Sequence, residues 1–407
     1  MANLRQEIAV GSTGAELVAA FTANAKNANI RIYNVEDYGA VHDGSTDDTI
    51  KIQDAITAAH AAGGGTIYFP KGIYAISGAL QNNIGDDLID YNSQLYIPYL
   101  GTSTTARILI HFLGESASNF SNGAGISTVV KAPITGVILK STIAGSGTNP
   151  SIISSGLATG GTYVDNNRND VIFENIQFQL VADGSSRLTM GAINLQRSRN
   201  AILRNVHCFP YDLALGSTGI PQNNCIGITM PQINCEHINV LENCTVGGFQ
   251  TGFKLGEHTS LKDTVANTCL YGYEFTANYH IVYATRIASY WCGYDLRFTG
   301  VAYVKINGLQ VEWRDEGAWF DSVNTILDAS NYGHGEVHYS IVEASVGFNN
   351  AKFTKSGGAN LQCFPIAFAA AASFTVTGAR DTPELALKNL ITALAAKGII
   401  IDSTTET

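Results

Sequence analysis

Acidic side chains recur at one position of a short repeat in the second half of the chain. The pattern Gly, apolar, any residue, apolar occurs repeatedly, and its third residue is Lys254, Glu274 and Asp295 in three consecutive copies. Alternate residues of a β-strand face opposite sides, so this residue points away from the apolar pair. If copies stack about 4.8 Å apart, the three form an outward ladder. Two carboxylates on adjacent rungs would then lie near the roughly 5–5.5 Å separation of retaining glycosidases.

The segment after the ladder adds more acids, and the longer gap before its next glycine predicts a turn over residues 314–316. One acid would protonate a glycosidic oxygen, while another carboxylate activates water or attacks the anomeric carbon. The residue types leave the assignment of acid and base open. The leading catalytic candidates are Asp295, Glu312 and Asp315, followed by Glu274 and Glu316.

Aromatic residues crowd the same stretch, because 13 of the 38 Phe, Tyr and Trp lie in residues 271–320. Outward aromatic rings stack on sugar faces, which suggests a substrate surface. Two alternatives stay open. Trp291 and Trp313 share the inward phase of Ile287 and Leu309, which favours the core. The acid ladder is a solvated face on which Lys254 neutralises Glu274. Tyr290 is out of the inward phase and is the better surface candidate. The substrate-binding candidates are Tyr290, Trp291, Trp313, Arg314 and Lys254.

The repeat itself predicts the architecture. The glycines of the pattern are 25, 20, 21 and 24 residues apart, which is typical of a solenoid with one coil per repeat. Asn175, Asn205, Asn243 and Asn307 recur between apolar residues and are expected to bond along a turn. Cys residues at 244, 269 and 292 are expected to stack in the core.

The chain opens differently, and residues 1–30 are expected to be an attachment arm or cap. Next come a strand over 31–35, a turn ending in helix N-cap residues, and a helix over 49–62. The helix carries Ile52, Ala55, Ile56 and Ala59 on one face. Three glycines end it, and strands follow over 66–70 and 73–76.

Six short motifs follow one another at close spacing over about 45 residues of this opening. They are Val35-Glu36-Asp37-Tyr38-Gly39-Ala40, Asp43-Gly44-Ser45-Thr46-Asp47-Asp48-Thr49, Ile52-Gln53-Asp54-Ala55-Ile56, Gly63-Gly64-Gly65 and Tyr68-Phe69-Pro70 with Gly72 and Tyr74. In these motifs the chain resembles the pectate-lyase-like superfamily found in bacteriophage tailspikes and capsule depolymerases. The resemblance implies a right-handed parallel β-helix whose N-terminal end is covered by the helix. It further implies a homotrimer on a phage virion that engages a bacterial capsule or lipopolysaccharide.

The expected fold is therefore all-β, a single-stranded right-handed parallel β-helix over residues 31–358. Residues 359–407 form a C-terminal segment with a short oligomerisation or attachment helix, indicated by capping-box spacing and an apolar stripe. The 1–30 arm and this segment are expected to contact other virion proteins.

Several function classes are disfavoured by composition. A net charge of −10 argues against nucleic acid or an anionic membrane as partner. The N-terminus lacks a signal-peptide pattern, and the most apolar run, residues 366–376, is too short for membrane insertion. The seven Cys include no CxxC pair and favour a reduced, buried role. No cofactor and no metal are expected; His334 and His338 lack metalloprotease spacing.

The sequence thus predicts a virion tailspike, made in a host cytoplasm, that binds and hydrolyses a surface polysaccharide. A calcium-dependent lyase using Arg286, Arg297 or Lys305 is less favoured. The alternative function is a non-catalytic virion fibre or decoration protein for adhesion or support, which the short chain and the absence of an evident carbohydrate module favour. A cellular pectinase-like enzyme ranks third, because no signal peptide is evident.

Overall fold

The computed structural model shows a parallel β-helix closed at its N-terminal end by one helix. Apart from one antiparallel pair at the edge of a sheet, the strand pairs are parallel. It describes residues 31–79, 81–83, 91–98, 108–116, 136–143, 145, 150–155, 169–181, 188–210, 225–232, 239–276, 281–300, 302–313, 325–330, 334–344, 352–356 and 360–368.

A short 3₁₀ helix, Val35–Tyr38, and one α-helix, α1 (Thr49–Ala61), accompany the strands. The strands of the first half of the chain are β1 Ile32–Asn34, β2 Asp43–Asp47, β3 Gly65–Phe69, β4 Gly72–Ile76, β5 Gln81–Asn83, β6 Tyr91–Ile97, β7 Leu109–Gly114, β8 Val137–Ser141, β9 Ser151–Ser155, β10 Asp170–Leu180, β11 Gly191–Asn194 and β12 Asn200–Pro210. Those of the second half are β13 Ile226–Thr229, β14 Asn239–Glu242, β15 Thr245–Gly247, β16 Thr251–Leu255, β17 Thr259–Lys262, β18 Val265–Asn267, β19 Tyr271–Phe275, β20 Ile281–Tyr290, β21 Tyr294–Phe298, β22 Tyr303–Trp313, β23 Thr325–Ser330, β24 His334–Ala344, β25 Lys352–Ser356 and β26 Asn360–Phe368.

Each coil of the solenoid has three faces. The first contains β7, β14, β17 and the opening halves of the long strands β10, β12, β20 and β22. The second contains β4, β8, β15, β18 and the closing halves of the long strands. The third is a ten-stranded sheet that includes β13, β16, β19, β21 and β23. The coil continues through β26, which pairs with β24, ten residues beyond the predicted boundary at 358.

The corner between the first and second faces is made by residues with positive φ. Asn175, Asn205 and Asn243 have φ of 61°, 53° and 52°, a conformation that Asn tolerates better than most residues. The Asn205 amide donates to Asn175 Oδ1 at 2.9 Å, and the Asn243 amide donates to Asn205 Oδ1 at 2.6 Å. This Asn column confirms the predicted stacking for three residues. Asn307 is exposed and outside it, because the next residue, Gly308, makes the turn with φ 84°.

The corner between the second and third faces also needs positive φ. Gly248, Thr268 and Trp291 occupy equivalent places in successive coils, with φ of 79°, 50° and 54°. We call these three residues the second corner. Strand register places each of them directly after a paired position, Gly247, Asn267 and Tyr290. The second corner therefore sets where the third face begins.

The core is a stack of apolar side chains along the solenoid axis. Face-to-face aromatic pairs join adjacent coils, including Phe112 with Phe173, whose ring centroids are 4.4 Å apart, and Phe275 with Phe298 at 4.7 Å. The five described cysteines, at 208, 225, 244, 269 and 292, are buried. Cys269 and Cys292 follow the second corner and stack, but Cys244 follows Asn243 at the other corner. The predicted three-cysteine stack is therefore wrong at Cys244.

The cap confirms the predicted helix almost to the residue. α1 buries Ile52, Ala55, Ile56 and Ala59 against the first coil, and so covers the apolar cross-section that a solenoid end exposes. The predicted N-cap turn is instead strand β2, and Asp47 rather than Asp48 accepts the Thr49 N–H, at 3.0 Å. No helix in the described residues combines the length and apolar character needed to cross a bilayer.

Candidate functional site

The outward row on the third face is not the predicted ladder. Register pairs Lys254 with Glu274, Glu274 with Arg297, and Arg297 with Asp328. The first two rungs are as predicted, but the third is a cation. The row therefore alternates in charge, and its two acids are separated by Arg297.

The error comes from coil length. Gly227, Gly252 and Gly272 form one column, because an added Cβ at Gly227 or Gly252 would lie 2.7 Å from the next coil's carbonyl oxygen. The coil after Gly272 is two residues longer than the glycine spacing suggests, so the next member of the column is Asp295, not Gly293.

Asp295 consequently lies inside the solenoid. Its side chain is 0% exposed, and the Ser289 hydroxyl donates a short hydrogen bond to its Oδ1, at 2.5 Å. The predicted outward position of Asp295 is wrong. A glycan outside the solenoid has no access to this carboxyl.

Glu274 faces outward but is only 8% exposed. Its carboxylate is bonded to the hydroxyls of Thr251 at 3.4 Å and Thr299 at 3.3 Å, and to the Arg297 guanidinium at 3.5 Å. These are long hydrogen bonds. The cation beside Glu274 is thus Arg297, in addition to Lys254 on the rung before.

Two tyrosines border this row at the start of their strands. Tyr271 and Tyr294 have ring centroids 5.1 Å apart, and the Arg297 guanidinium lies 4.0 Å from the Tyr271 centroid, a cation–π arrangement. The pKa of Tyr294 is raised by burial and by Tyr271 and Asp328, against an opposing effect of Arg297. The carboxylate of Asp328 therefore acts electrostatically on the Tyr294 hydroxyl.

A second cluster lies just across the second corner. The Trp291 indole N–H donates to Glu312 Oε1 at 3.1 Å, and the Trp291 backbone N–H donates to the Glu312 carbonyl at 2.7 Å. Tyr290 pairs with Glu312 in register. Its pKa is raised by burial and by the charge of Glu312. A carboxylate, an indole and a phenol therefore meet at the outer edge of the second face.

The rung below Glu312 is occupied by another acid. Register pairs Glu312 with Glu343 of β24, after a one-residue irregularity between Val311 and Glu312. Adjacent rungs are about 4.8 Å apart. Glu343 does not stand out in the sequence, because it lies 31 positions after Glu312 and the irregular register breaks the simple spacing of the repeat. The available signal was that both close a long alternating strand.

The remaining candidates are described only in part or not at all. Trp313 is the last residue of β22 and pairs with Ala344. Arg314, Asp315 and Glu316 lie outside the described residues, so their predicted roles stay predictions. Trp291 is 7% exposed, and its indole lies against Glu312 rather than standing clear as a stacking surface.

Two glutamates on the first face each form ion pairs with basic side chains of neighbouring coils. Glu174 lies between His111 at 3.1 Å and Arg204 at 2.8 Å, and Glu242 lies between Arg204 at 3.5 Å and Lys262 at 2.6 Å. These pairs run along the solenoid from coil to coil. They are partly exposed, so each contributes little to stability.

The acidic loop of the cap has its oxygens engaged in hydrogen bonds. Asp48 accepts the N–H groups of Val41 and His42 at 2.7 and 3.1 Å. The pKa of Asp43 is lowered by backbone and hydroxyl hydrogen bonds in the next turn. This arrangement orders the loop. Across the described parts of the chain, no three His, Cys, Asp or Glu side chains converge as a metal-binding group.

Comparison with known proteins finds a family match over the N-terminal cap and the first strands that follow it. Residues 32–95 match the family described as Rhamnogalacturonase A/epimerase, pectate lyase-like. Alginate lyase 7 of Azotobacter vinelandii is 47% identical over 92 residues, which is 23% of this chain and 10% of that protein. The chain thus spans about a tenth of that relative. The family match ends well before Glu274 and Glu312.

Two solved structures resemble the whole solenoid more loosely. The A-module of mannuronan C-5 epimerase AlgE6 from Azotobacter vinelandii is 18% identical, with 83% of this chain and 94% of that chain covered and a TM-score of 0.37. ORF18 of Geobacillus virus E2 is 13% identical, with 90% and 67% covered and a TM-score of 0.36.

Proposed function

We propose that this chain is a virion spike protein that binds and hydrolyses a bacterial surface polysaccharide. The observation that carries the proposal is the cluster of Tyr290, Trp291 and Glu312 at the second corner, with Glu343 on the next rung. Register pairs Glu312 with Glu343 on adjacent strands, which lie about 4.8 Å apart, and retaining glycosidases use two carboxyl groups about 5–5.5 Å apart. The sequence similarity to an alginate lyase supports a polysaccharide substrate. The virion location and trimeric state rest on the resemblance of the opening segment to tailspikes.

The proposed chemistry needs one protonated and one ionised acid. The protonated acid gives its proton to the glycosidic oxygen as the bond from that oxygen to the anomeric carbon breaks. The ionised carboxylate bonds to the anomeric carbon, and water later displaces it, losing a proton to the first acid. Tyr290 lies beside Glu312 and would contact the sugar. Asp315, a leading catalytic candidate, and Glu316, a second-rank one, remain candidates for the same chemistry.

The test is incubation of the purified chain with capsule and lipopolysaccharide from candidate hosts. We expect new reducing ends without new absorbance at 235 nm, which signals hydrolysis. Glu312→Gln and Glu343→Gln should each lower the rate by at least a hundredfold. Glu336→Gln is the matched control, because Glu336 lies on the same strand as Glu343 but pairs with Lys305, away from the corner. Full activity in Glu312→Gln would refute the proposed site.

A second function is supported by a different observation. Of the five predicted catalytic acids, Asp295 is inside the solenoid and Glu274 is bonded to Arg297 and two threonines. Because both carboxyl groups are held by contacts within the solenoid, this arrangement favours a non-catalytic fibre that only adheres to the glycan. In that case a binding assay would show that the protein retains the glycan, and the incubation would produce neither new reducing ends nor new absorbance at 235 nm. Absorbance at 235 nm would instead indicate a lyase.

A further inference from the structure

Trp291 holds a backbone conformation that is unfavourable for its side chain. Its φ of 54° is one that bulky residues rarely adopt and that costs on the order of 1–3 kcal/mol. The second corner has positive φ in three successive coils, and Gly248 adopts this conformation two coils before Trp291 without a side chain. A tryptophan at this place therefore needs a compensating interaction.

The compensating interaction is with Glu312. Trp291 donates both its backbone N–H and its indole N–H to that residue, at 2.7 and 3.1 Å. The indole is also 93% buried, since Trp291 is 7% exposed, so its ring is held by packing. A glutamate side chain otherwise rotates about three bonds, and ordering it costs entropy. Trp291 fixes the direction of the carboxylate.

The bond also distinguishes the two protonation states of Glu312. An indole N–H can only donate a hydrogen bond. Both the protonated and the ionised carboxyl of Glu312 can accept a hydrogen bond from the indole N–H, but the ionised form accepts the stronger one. Tyr290 is the titratable neighbour on the strand before, and Glu343 occupies the paired rung on the strand after.

We infer that Trp291 is a positioning residue that keeps Glu312 ionised, so that Glu312 is the carboxylate that attacks the anomeric carbon. This inference rests on the proposed function and adds a division of roles. The proton for the leaving oxygen then comes from the acid on the neighbouring rung, Glu343. Trp291 contributes through Glu312 and not as a platform for sugar stacking.

Trp291→Phe is the test, because it keeps an aromatic ring and removes the N–H. We expect kcat to fall about ten- to a hundredfold with KM changed less than twofold. The acidic limb of the pH–rate profile should move to higher pH. Carbon-13 NMR of glutamate-labelled protein, with Glu312 identified by its loss in Glu312→Gln, should show the Glu312 titration midpoint rising by about half to one pH unit.

Thr268→Gly is the matched control, since it changes the equivalent corner residue one coil earlier and leaves Glu312 untouched. Its Glu312 midpoint should equal that of the wild type. Trp291→Gly is a second variant that the corner accommodates, and it should raise the midpoint as Trp291→Phe does. An unchanged midpoint in both Trp291 variants overturns the inference. If the Glu312 midpoint rises in the Trp291 variants but the wild-type protein cleaves no glycan, the contact between Trp291 and Glu312 is supported and the proposed hydrolysis is refuted.

Discussion

At the scale of the residue, Asp295 shows how a single side chain can be given the wrong role by a correct motif. Its coil repeats the Gly-apolar-any-apolar pattern, yet the carboxyl replaces the column glycine of earlier coils and points to Ser289 inside the solenoid. Buried carboxyls persist where they are hydrogen-bonded. Asp295 is therefore part of the packing of this coil.

Asp295→Asn is expected to lower the free energy of unfolding by about 1–3 kcal/mol, because an amide replaces the buried carboxyl that accepts the Ser289 hydroxyl and brings a donor group into the same site. The rate of glycan cleavage by the folded protein should stay unchanged. Chemical denaturation and the reducing-end assay measure the two effects. Ser289→Ala removes the same bond from the donor side and should cost a similar amount. Lost cleavage with unchanged stability would restore Asp295 as a catalytic candidate.

His207 is a buried histidine that should make stability depend on pH. It is 5% exposed, and burial lowers its pKa from 6.5 to about 4. The unfolded state therefore binds a proton near pH 6.5 while the native state stays neutral. Stability should fall as the pH drops from about 6.5 to about 4, by up to about 3 kcal/mol.

The measurement is the free energy of unfolding at several pH values between 7 and 4, for wild type and His207→Gln. The variant cannot titrate and should show a shallower loss over this range, whatever its stability at neutral pH. Parallel curves for the two proteins would contradict the assignment to His207.

At the scale of the element, the Asn column joins three coils through side chains. Asn205 donates to Asn175 and accepts from Asn243, and its φ of 53° suits Asn or Gly better than Ala. Asn205→Ala should lose about 2–3 kcal/mol of stability, from two hydrogen bonds and an unfavourable backbone.

Asn205→Gly separates these two causes, because glycine keeps the backbone conformation and loses only the hydrogen bonds. It should be about 1 kcal/mol more stable than Asn205→Ala. Equal stabilities in thermal or chemical unfolding would show that the positive φ carries no cost there.

Elements with local signals could be predicted from the sequence, and pairings across coils could not. The apolar face of α1 follows from the 3.6-residue periodicity of its sequence. Asn175, Asn205 and Asn243 indicate turns, because Asn is favoured where φ is positive. The partner of Glu274 depends on the length of the coil that follows it. That length is 20 residues from Lys254 to Glu274 and 23 from Glu274 to Arg297, so a fixed spacing fails there.

In the candidate site, too, the residues with a local sequence signal could be predicted and those placed by pairing across coils could not. Glu312 and Tyr290 were found because both lie outward in long alternating strands. Glu343 was missed because its place beside Glu312 depends on a strand irregularity. Trp291 was assigned to the core or to a sugar surface, since the hydrogen bond from its indole is invisible without the corner geometry.

At the scale of the whole molecule, the first face carries exposed apolar side chains near its C-terminal end. Ile281, Tyr283 and Tyr303 are 38%, 47% and 42% exposed and lie on two adjacent strands. We predict that the full chain is a homotrimer, with a mass near 130 kDa, three times the 43.3 kDa of one chain. Sedimentation equilibrium measures this, and a single species near 43 kDa would contradict it.

The two corners have a consequence for how such a chain diversifies. Because the turns at Asn243 and Gly248, the two corners of one coil, each need a particular backbone conformation, the number of residues between them is constrained, and a one-residue change would exchange the inward and outward sides of a strand. Connections between strands carry no such constraint, since each doubling of loop length costs only about 0.6 kcal/mol. Descendants of this gene can therefore acquire insertions between coils while their corner spacing is inherited unchanged.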